Sequence, residues 1–430
     1  MKATLFIQLS FGFVLLFNKA FGQIDPPKRI LIENPTVHIG DGSIFEKGLV
    51  GIEGDKIILV KNALAYTYDK ADWDTIIDLN GQHMYAGFVA PNSTLGLTEI
   101  DAVRATRDFN ETGQFNSNVR AQIAYNCESQ VIETVRINGV LISQATPRGG
   151  IISGTSAVMA NACWNWEDGT IAANDGIHLN WPESLQGGGW WAEPQPKSRN
   201  EKYPEQKREI YDYFELALAY TKAEDQTDLR YAALKDCFLG EKRVYIHANE
   251  LQQLHDVLDF IEHFGLKHAV IVGGYDTYMM TDKLKIRNIP VMLPRLHALP
   301  ENEDNPTDLV YRLPAILQEA GILFCLQNEG DMEAMNARNI PFLAGTAMAY
   351  GLTEEQAIQS VTINACKILG IDKDYGTIQN GKKATLFVSQ GSALDMKSNN
   401  VTLILIDGEF VPVTSFQNEL YEKYKDKYGF

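Results

Sequence analysis

The stretch Asp78–Glu99, DLNGQHMYAGFVAPNSTLGLTE, decides how the rest of the chain is read. Asn80-Gly81 makes a polar turn, and Met84 to Val89 then form an apolar run of strand character. The run opens onto Pro91-Asn92-Ser93-Thr94-Leu95-Gly96, which is small and mostly polar. A buried strand ending in such a loop is how an α/β barrel begins its catalytic face. The reading therefore places Asn92 and Thr94 at a barrel mouth.

On either side the texture changes. From Arg29 to Ala86, segments such as ILIENPTVHIG and GLVGIEGDKIILVKN alternate apolar and polar residues between Asp-Gly and Gly-Asp turns, as hairpins do. The same texture returns only near the other end, in YGTIQNGKKATLFVSQG and NNVTLILIDGEFVPV. Between them, strand-like runs at 139–147, 156–162, 243–249, 268–274, 289–295 and 322–328 alternate with helical stretches at 204–238, 250–265, 308–320 and 353–370. Thr353, with Gln356 three residues on, is a capping box. The expected fold is α/β: a (β/α)8 TIM-like barrel over 87–374, with a small discontinuous β-sandwich built from 23–86 and 375–415. Residues 163–203 carry five of the six tryptophans and read as a long insertion, either a lid over the mouth or a self-packed loop. Residues 416–430 read as an exposed tail.

Composition narrows the partners. At 430 residues and 45% hydrophobic, the chain buries a large core. A formal charge of −17 without a basic stripe argues against nucleic acid. Residues 1–22 combine Lys2, an apolar stretch and Ala20-Phe21-Gly22, the layout of a cleaved secretory signal. An exported, periplasmic or extracellular protein is expected, with no transmembrane segment after cleavage. The five cysteines have no CxxC spacing, so neither a disulfide framework nor a thiolate metal site is indicated. No glycine-rich phosphate loop follows a strand, which argues against a nucleotide cofactor. No GxSxG elbow or HExxH motif supports a serine hydrolase or a zincin.

Several blocks together carry a resemblance. The Gly87-Phe88 strand, the helix LTEEQAIQSVTINACKIL and the strand pair YGTIQNGKKATLFV resemble the amidohydrolase superfamily over nearly the whole chain. PRGGIISGTSAVM (147–159) and RLHALPENED (295–304) are similar to a secreted bacterial branch related to imidazolonepropionases. The resemblance implies a hydrolase of C–N bonds in small amides or cyclic amides. It also implies a divalent metal, zinc for example, at the strand ends. The implied ligands are His-x-His on the first strand, Lys or Glu on the fourth, His on the fifth and sixth, and Asp on the eighth, the Asp doubling as base. A metal in such a site activates water by lowering its pKa toward ~7.

This chain departs from that pattern. The first-strand histidines read Asn92 and Thr94, and the sixth-strand position reads Gly273-Gly274. His247, in RVYIHANE, stands at the fifth-strand position, as a ligand or as a buried structural histidine. LQNEGD places Glu329 near the eighth-strand acid, as the expected base or as a loop carboxylate. His297 follows the strand at 289–295 and is the second candidate ligand, giving a rearranged His247/His297/Glu329 set. Substrate contacts are expected from Asn92, Thr94, Glu99, Arg148 and Thr155. Gly149-Gly150 allows close backbone approach, and Arg148 can grip a carboxylate. Two functions remain open: a C–N hydrolase with an altered metal site, or a non-catalytic barrel that binds a small molecule, peptide or partner protein. Self-association, or pairing with an active paralogue, is compatible with either.

Overall fold

A computed structural model describes residues 28–429 except 191–192, 223–226, 303 and 331, with only the backbone treated over 188–196. The expected signal sequence at 1–22 lies outside the described residues. The described residues start with β1 (Arg29–Glu33), β2 (Thr36–His38), β3 (Ile44–Phe45), β4 (Gly48–Glu53), β5 (Lys56–Asn62), β6 (Thr75–Asp78) and β7 (His83–Ala86). The barrel follows, with β8 (Phe88–Ser93), β9 (Val140–Ala145), β10 (Ile152–Thr155), β11 (Ala157–Ala160), β12 (Thr170–Ala172) and β13 (Gly176–Asn180). A hairpin of β14 (Leu185–Trp190) and β15 (Glu193–Arg199) precedes β16 (Arg243–Ala248), β17 (Ala269–Gly273), β18 (Val291–Leu293) and β19 (Phe324–Leu326). After the barrel come β20 (Leu386–Ser389), β21 (Val401–Ile406) and β22 (Glu409–Val411), and the expected exposed tail is a helix, Phe416–Tyr428, with no buried residue.

The two chain ends share one small domain. One sheet runs β5-β4-β1-β6, and the other runs β22-β21-β20-β7-β2-β3. β7 pairs antiparallel with β20, Leu386 opposite Ala86 and Ser389 opposite His83. The inner faces meet in a core of Ile30, Ile32, Val50, Met84, Leu386 and Val388. His38 ties this domain to the barrel, its Nδ1 lying 2.5 Å from Glu355 in the helix Glu354–Val361. That helix starts on the expected capping box, with Thr353 N–H donating to Gln356 Oε1 and Gln356 N–H to Thr353 Oγ1.

The barrel strands β13, β16, β17, β18 and β19 are parallel neighbours, and β8 is parallel to β9. β17 is buried throughout, as an apolar run covered on both faces should be. The third stave breaks the all-parallel expectation. β10 runs antiparallel to β13 and β11 antiparallel to β9, so the nearly continuous 152–160 segment descends between them. Its cause is the short connection: β9 ends at Ala145 and β10 begins at Ile152. A parallel return needs a crossover of a dozen or more residues.

Two further expectations change. Residues 163–203 are not one insertion, because barrel strand β13 lies inside them; only the β14–β15 hairpin projects. Alternating Ile177 and Leu179 bury that strand in the wall. A disulfide, not indicated by cysteine spacing, joins Cys127 to Cys163 with Cα atoms 5.7 Å apart. It pins the loop after β11 to the segment before the helix Gln130–Arg136. Cys237, Cys325 and Cys366 are free and buried. No helix among the described residues is long and apolar enough to cross a membrane.

Candidate functional site

A cavity of about 740 Å³ opens at the barrel mouth, its walls including Asn92, Thr94, Arg148, His247, Glu329 and Glu333. Asn92 occupies a bulge. In the β8–β9 ladder Ala90 faces Ser143 and Ser93 faces Ala145, so Pro91 and Asn92 together oppose Gln144. Asn92 takes a left-handed φ of +48°, a conformation asparagine tolerates better than most residues. Its amide therefore leaves the ladder and donates to Gln144 Oε1 at 2.9 Å.

From Asn92 a polar network spreads through the barrel interior. Asn92 Nδ2 donates to Gln327 Oε1 at 2.6 Å, and Gln327 Nε2 donates to Glu329 Oε2 at 3.0 Å. On the other side Gln144 Nε2 donates to Asp175 Oδ2 at 2.6 Å. Asp175 also accepts from Ser156 Oγ at 3.1 Å and Tyr245 OH at 2.8 Å, with Arg243 3.6 Å from its other oxygen. Burial raises the Asp175 carboxyl above its ordinary range, with Arg243 and the three donors pulling the other way.

Arg148 sits in the short β9–β10 connection, which is why its side chain reaches the mouth. Its Nε and Nη2 clamp Glu333 at 3.0 Å each, and Nη2 also donates to the Asn92 carbonyl at 2.8 Å. Such a two-pronged pair is the strongest arrangement available to a guanidinium.

The fourth stave contributes a residue that sequence reasoning missed. His178 on β13 stands beside the fifth stave, its Nδ1 2.9 Å from His247 Nε2, and stacks on Tyr245. One proton shared between two neutral rings satisfies that contact. Burial lowers the His178 pKa well below the usual range, with repulsion from His247 and Arg148 adding to it. His247 falls to about 3 through burial first and Arg148 second. Glu329 rises to about 7 through burial, partly offset by its bond from Gln327 and by Arg148. At neutral pH both histidines are uncharged and Glu329 is near half-protonation.

Other candidates lie elsewhere. His297 is exposed and bonds Thr346 Oγ1 at 2.7 Å, because the chain after β18 turns it toward the helix Ile340–Ala349 and away from His247. Glu99 accepts from Asn126 Nδ2 at 2.9 Å on the outer surface, away from this cavity. Thr155 is spent inside the wall, donating to the Ser117 carbonyl at 3.0 Å. At the sixth stave Gly273 has a φ of +91°, and a side chain there would collide with Asn249. The hairpin lines a second cavity of about 600 Å³ with Leu185 and Lys197, and the two cavities share His247 as a wall. Trp181 lines the second cavity, whereas Trp164 is 88% exposed.

These donors do not fit the metal implied by the resemblance. Amides of Asn92 and Gln327 face each other, Arg148 puts a fixed cation into the mouth, and His178 Nδ1 and His247 Nε2 are turned on each other. No group of three His, Cys, Asp or Glu residues among the described residues could hold an ion.

A family model described as the amidohydrolase family matches residues 145–411, more than half of the sequence. The chain belongs to the amidohydrolase family. Among amidohydrolases of known structure, one from Thermotoga maritima MSB8 superposes with a TM-score of 0.77 at 26% identity, covering 89% of this chain and 99% of that one. Ochratoxinase of A. niger, at 12% identity and a TM-score of 0.54 over 92% of this chain and 99% of its own, shares the fold. Imidazolonepropionase of Flavobacterium johnsoniae is 26% identical over an alignment of 171 residues that covers 34% of this chain and 42% of that protein. That of Flavobacterium psychrophilum is 23% identical over 175 residues, 39% of this chain and 40% of its own. The alignments thus span about two fifths of these relatives.

Proposed function

We propose that this amidohydrolase-family barrel binds a small polar molecule in the mouth cavity without a metal centre. Arg148 supplies a fixed positive charge there. The observation that carries this reading is the 2.6 Å Asn92–Gln327 bond, which places paired amides across the strand ends. Loss of ligands matters because even changes behind them weaken metal binding about 10–100-fold. Expected metal content after loading with Zn²⁺ or Mn²⁺ is far below one ion per chain. Stoichiometric metal by elemental analysis, released by His247→Ala, would overturn the reading.

A second reading, hydrolysis of a C–N bond, is favoured by Glu329, a cavity carboxyl raised to about 7 and so suited to proton transfer. Its folded-state pKa lies above the ordinary value. Its favourable contribution to stability is therefore complete below about pH 4.5 and is lost as pH rises through 7. Glu329→Gln should match wild type near pH 4.5 and exceed it at pH 8 by up to about 3 kcal/mol. Urea midpoints at the two pH values measure this, and an equal difference at both would exclude the shifted carboxyl. If the barrel is catalytic, the same variant abolishes turnover of an amide panel, whose wild-type rate inflects near pH 7.

Export is part of the proposal. The Cys127–Cys163 disulfide supports an oxidising compartment, periplasmic or extracellular.

A further inference from the structure

Two histidine pairs meet in this fold, and their surroundings differ. His178 and His247 are enclosed in the barrel, with Arg148 as their charged neighbour. The other pair lies where the small domain meets the barrel. His38 on β2 is buried, and its Nε2 is 3.0 Å from Nδ1 of His83 on the adjoining strand β7. Its Nδ1 is 2.5 Å from Glu355 Oε1 on the barrel helix Glu354–Val361. Glu355 Oε2 is buried without a partner, so the carboxylate depends on His38. Tyr85 stacks on His38 with ring centroids 4.4 Å apart, which holds the imidazole in plane.

This spacing accommodates one proton between the rings. With both rings neutral, or one of them cationic, a single N–H donates across the gap. With both cationic, N–H faces N–H and two like charges stand 3.0 Å apart. The titratable groups facing the pair are Tyr85 on β7 and Glu354 and Glu355 on the helix. The loop after β20 adds Ser392, whose hydroxyl donates to Glu354 Oε1 at 3.1 Å. His83 is half-buried, so protons reach it from solvent. Its pKa is lowered by burial first and by His38 second, with Glu354 pulling the other way. The folded state therefore favours neutral His83. Its contribution to stability is complete above the ordinary value of 6.5 and is lost as pH falls through the lower, folded-state value.

We propose that His38, His83 and Glu355 form an acid-released clasp: a second proton on the histidine pair loosens the small domain from the helix Glu354–Val361, while the parallel barrel strands stay folded. The clasp also reaches the mouth. β7 continues through Gly87 into β8, which carries Asn92, and the helix sets Ala357, Ile358 and Val361 into the barrel core.

Hydrogen exchange of the full mature protein at about pH 7.5 and about pH 5, corrected for intrinsic rates, tests this. In wild type, protection over 83–86 and 354–361 should fall roughly tenfold at the lower pH relative to β16 and β17. His83→Asn keeps a polar atom where Nδ1 stands and takes up no proton, so its protection should change by less than about twofold. Glu355→Gln keeps an acceptor for His38 Nδ1 but removes the compensating charge, so its loss at the lower pH should exceed that of wild type. The clasp is overturned by equal wild-type protection at both pH values, by a His83→Asn protein that loses as much as wild type, or by a Glu355→Gln protein that loses no more. If His83→Asn does not fold, NMR of the wild-type histidine rings decides. His83 should titrate below about pH 6.5 in the native protein, and titration at or above that value overturns the inference.

Discussion

Asp175→Ala is expected to lower the stability of the fold by about 4 kcal/mol, a size reserved for the loss of a buried polar network. The carboxylate is buried and collects Gln144, Ser156 and Tyr245 on one oxygen, with Arg243 facing the other. Removing it leaves the Tyr245 hydroxyl without an acceptor, Ser156 and Gln144 with only their longer bonds to the Gly176 carbonyl and to Ser156 Oγ, and Arg243 without its counter-charge. Asp175→Asn keeps the volume and one acceptor, so roughly half the loss is expected. Urea denaturation with an unchanged slope reads both, and a loss below about 1 kcal/mol for the alanine variant would show that the network carries little. The damage also reaches the cavity, because Gln144 bonds Asp175 and holds the Asn92 amide.

The second large effect concerns Arg148. Arg148→Met strips the partner from Glu333 and from the Asn92 carbonyl at once. With the Arg148 and Glu333 side chains 23% and 11% exposed, water relieves part of the cost, and about 2 kcal/mol of lost stability is expected. Adding Glu333→Leu removes the stranded charge and should recover at least half. A double variant no more stable than the single one would mean that the charge pair is not what the methionine disturbs. Ligand affinity separates the roles: recovery of stability should not bring back binding, because the guanidinium is still missing.

Much of the architecture could be read from residues. The apolar runs at 243–249 and 268–274 are barrel strands, and the hairpin texture at both ends marks one shared domain. His247 could be placed because RVYIHANE resembles the fifth strand of the family, and Val244 and Ile246 are indeed buried before it. His178 could not, although Gly-Ile-His-Leu-Asn carries the same alternation. It lies among tryptophans, prolines and glycines that suggested a loop. Asn92, Gln144 and Gln327 form no spacing motif, since amides meet through strand register and a bulge, which only the folded ladder shows. The disulfide escaped for a related reason: its cysteines are 36 residues apart and are brought together by β9 and β11. His297 and Glu99 were placed by proximity in sequence to a strand end, and loop direction then carried both away from the mouth.

The pairing of β7 with β20 has a consequence for synthesis and truncation. Nearly the entire barrel must be made before the strand that covers Met84 and Tyr85 exists. Until then β7 is an open edge carrying apolar side chains, a template for association between chains. A product ending before β20 would therefore be aggregation-prone, and the final β-strands act as the seal that makes the nascent protein safe to release.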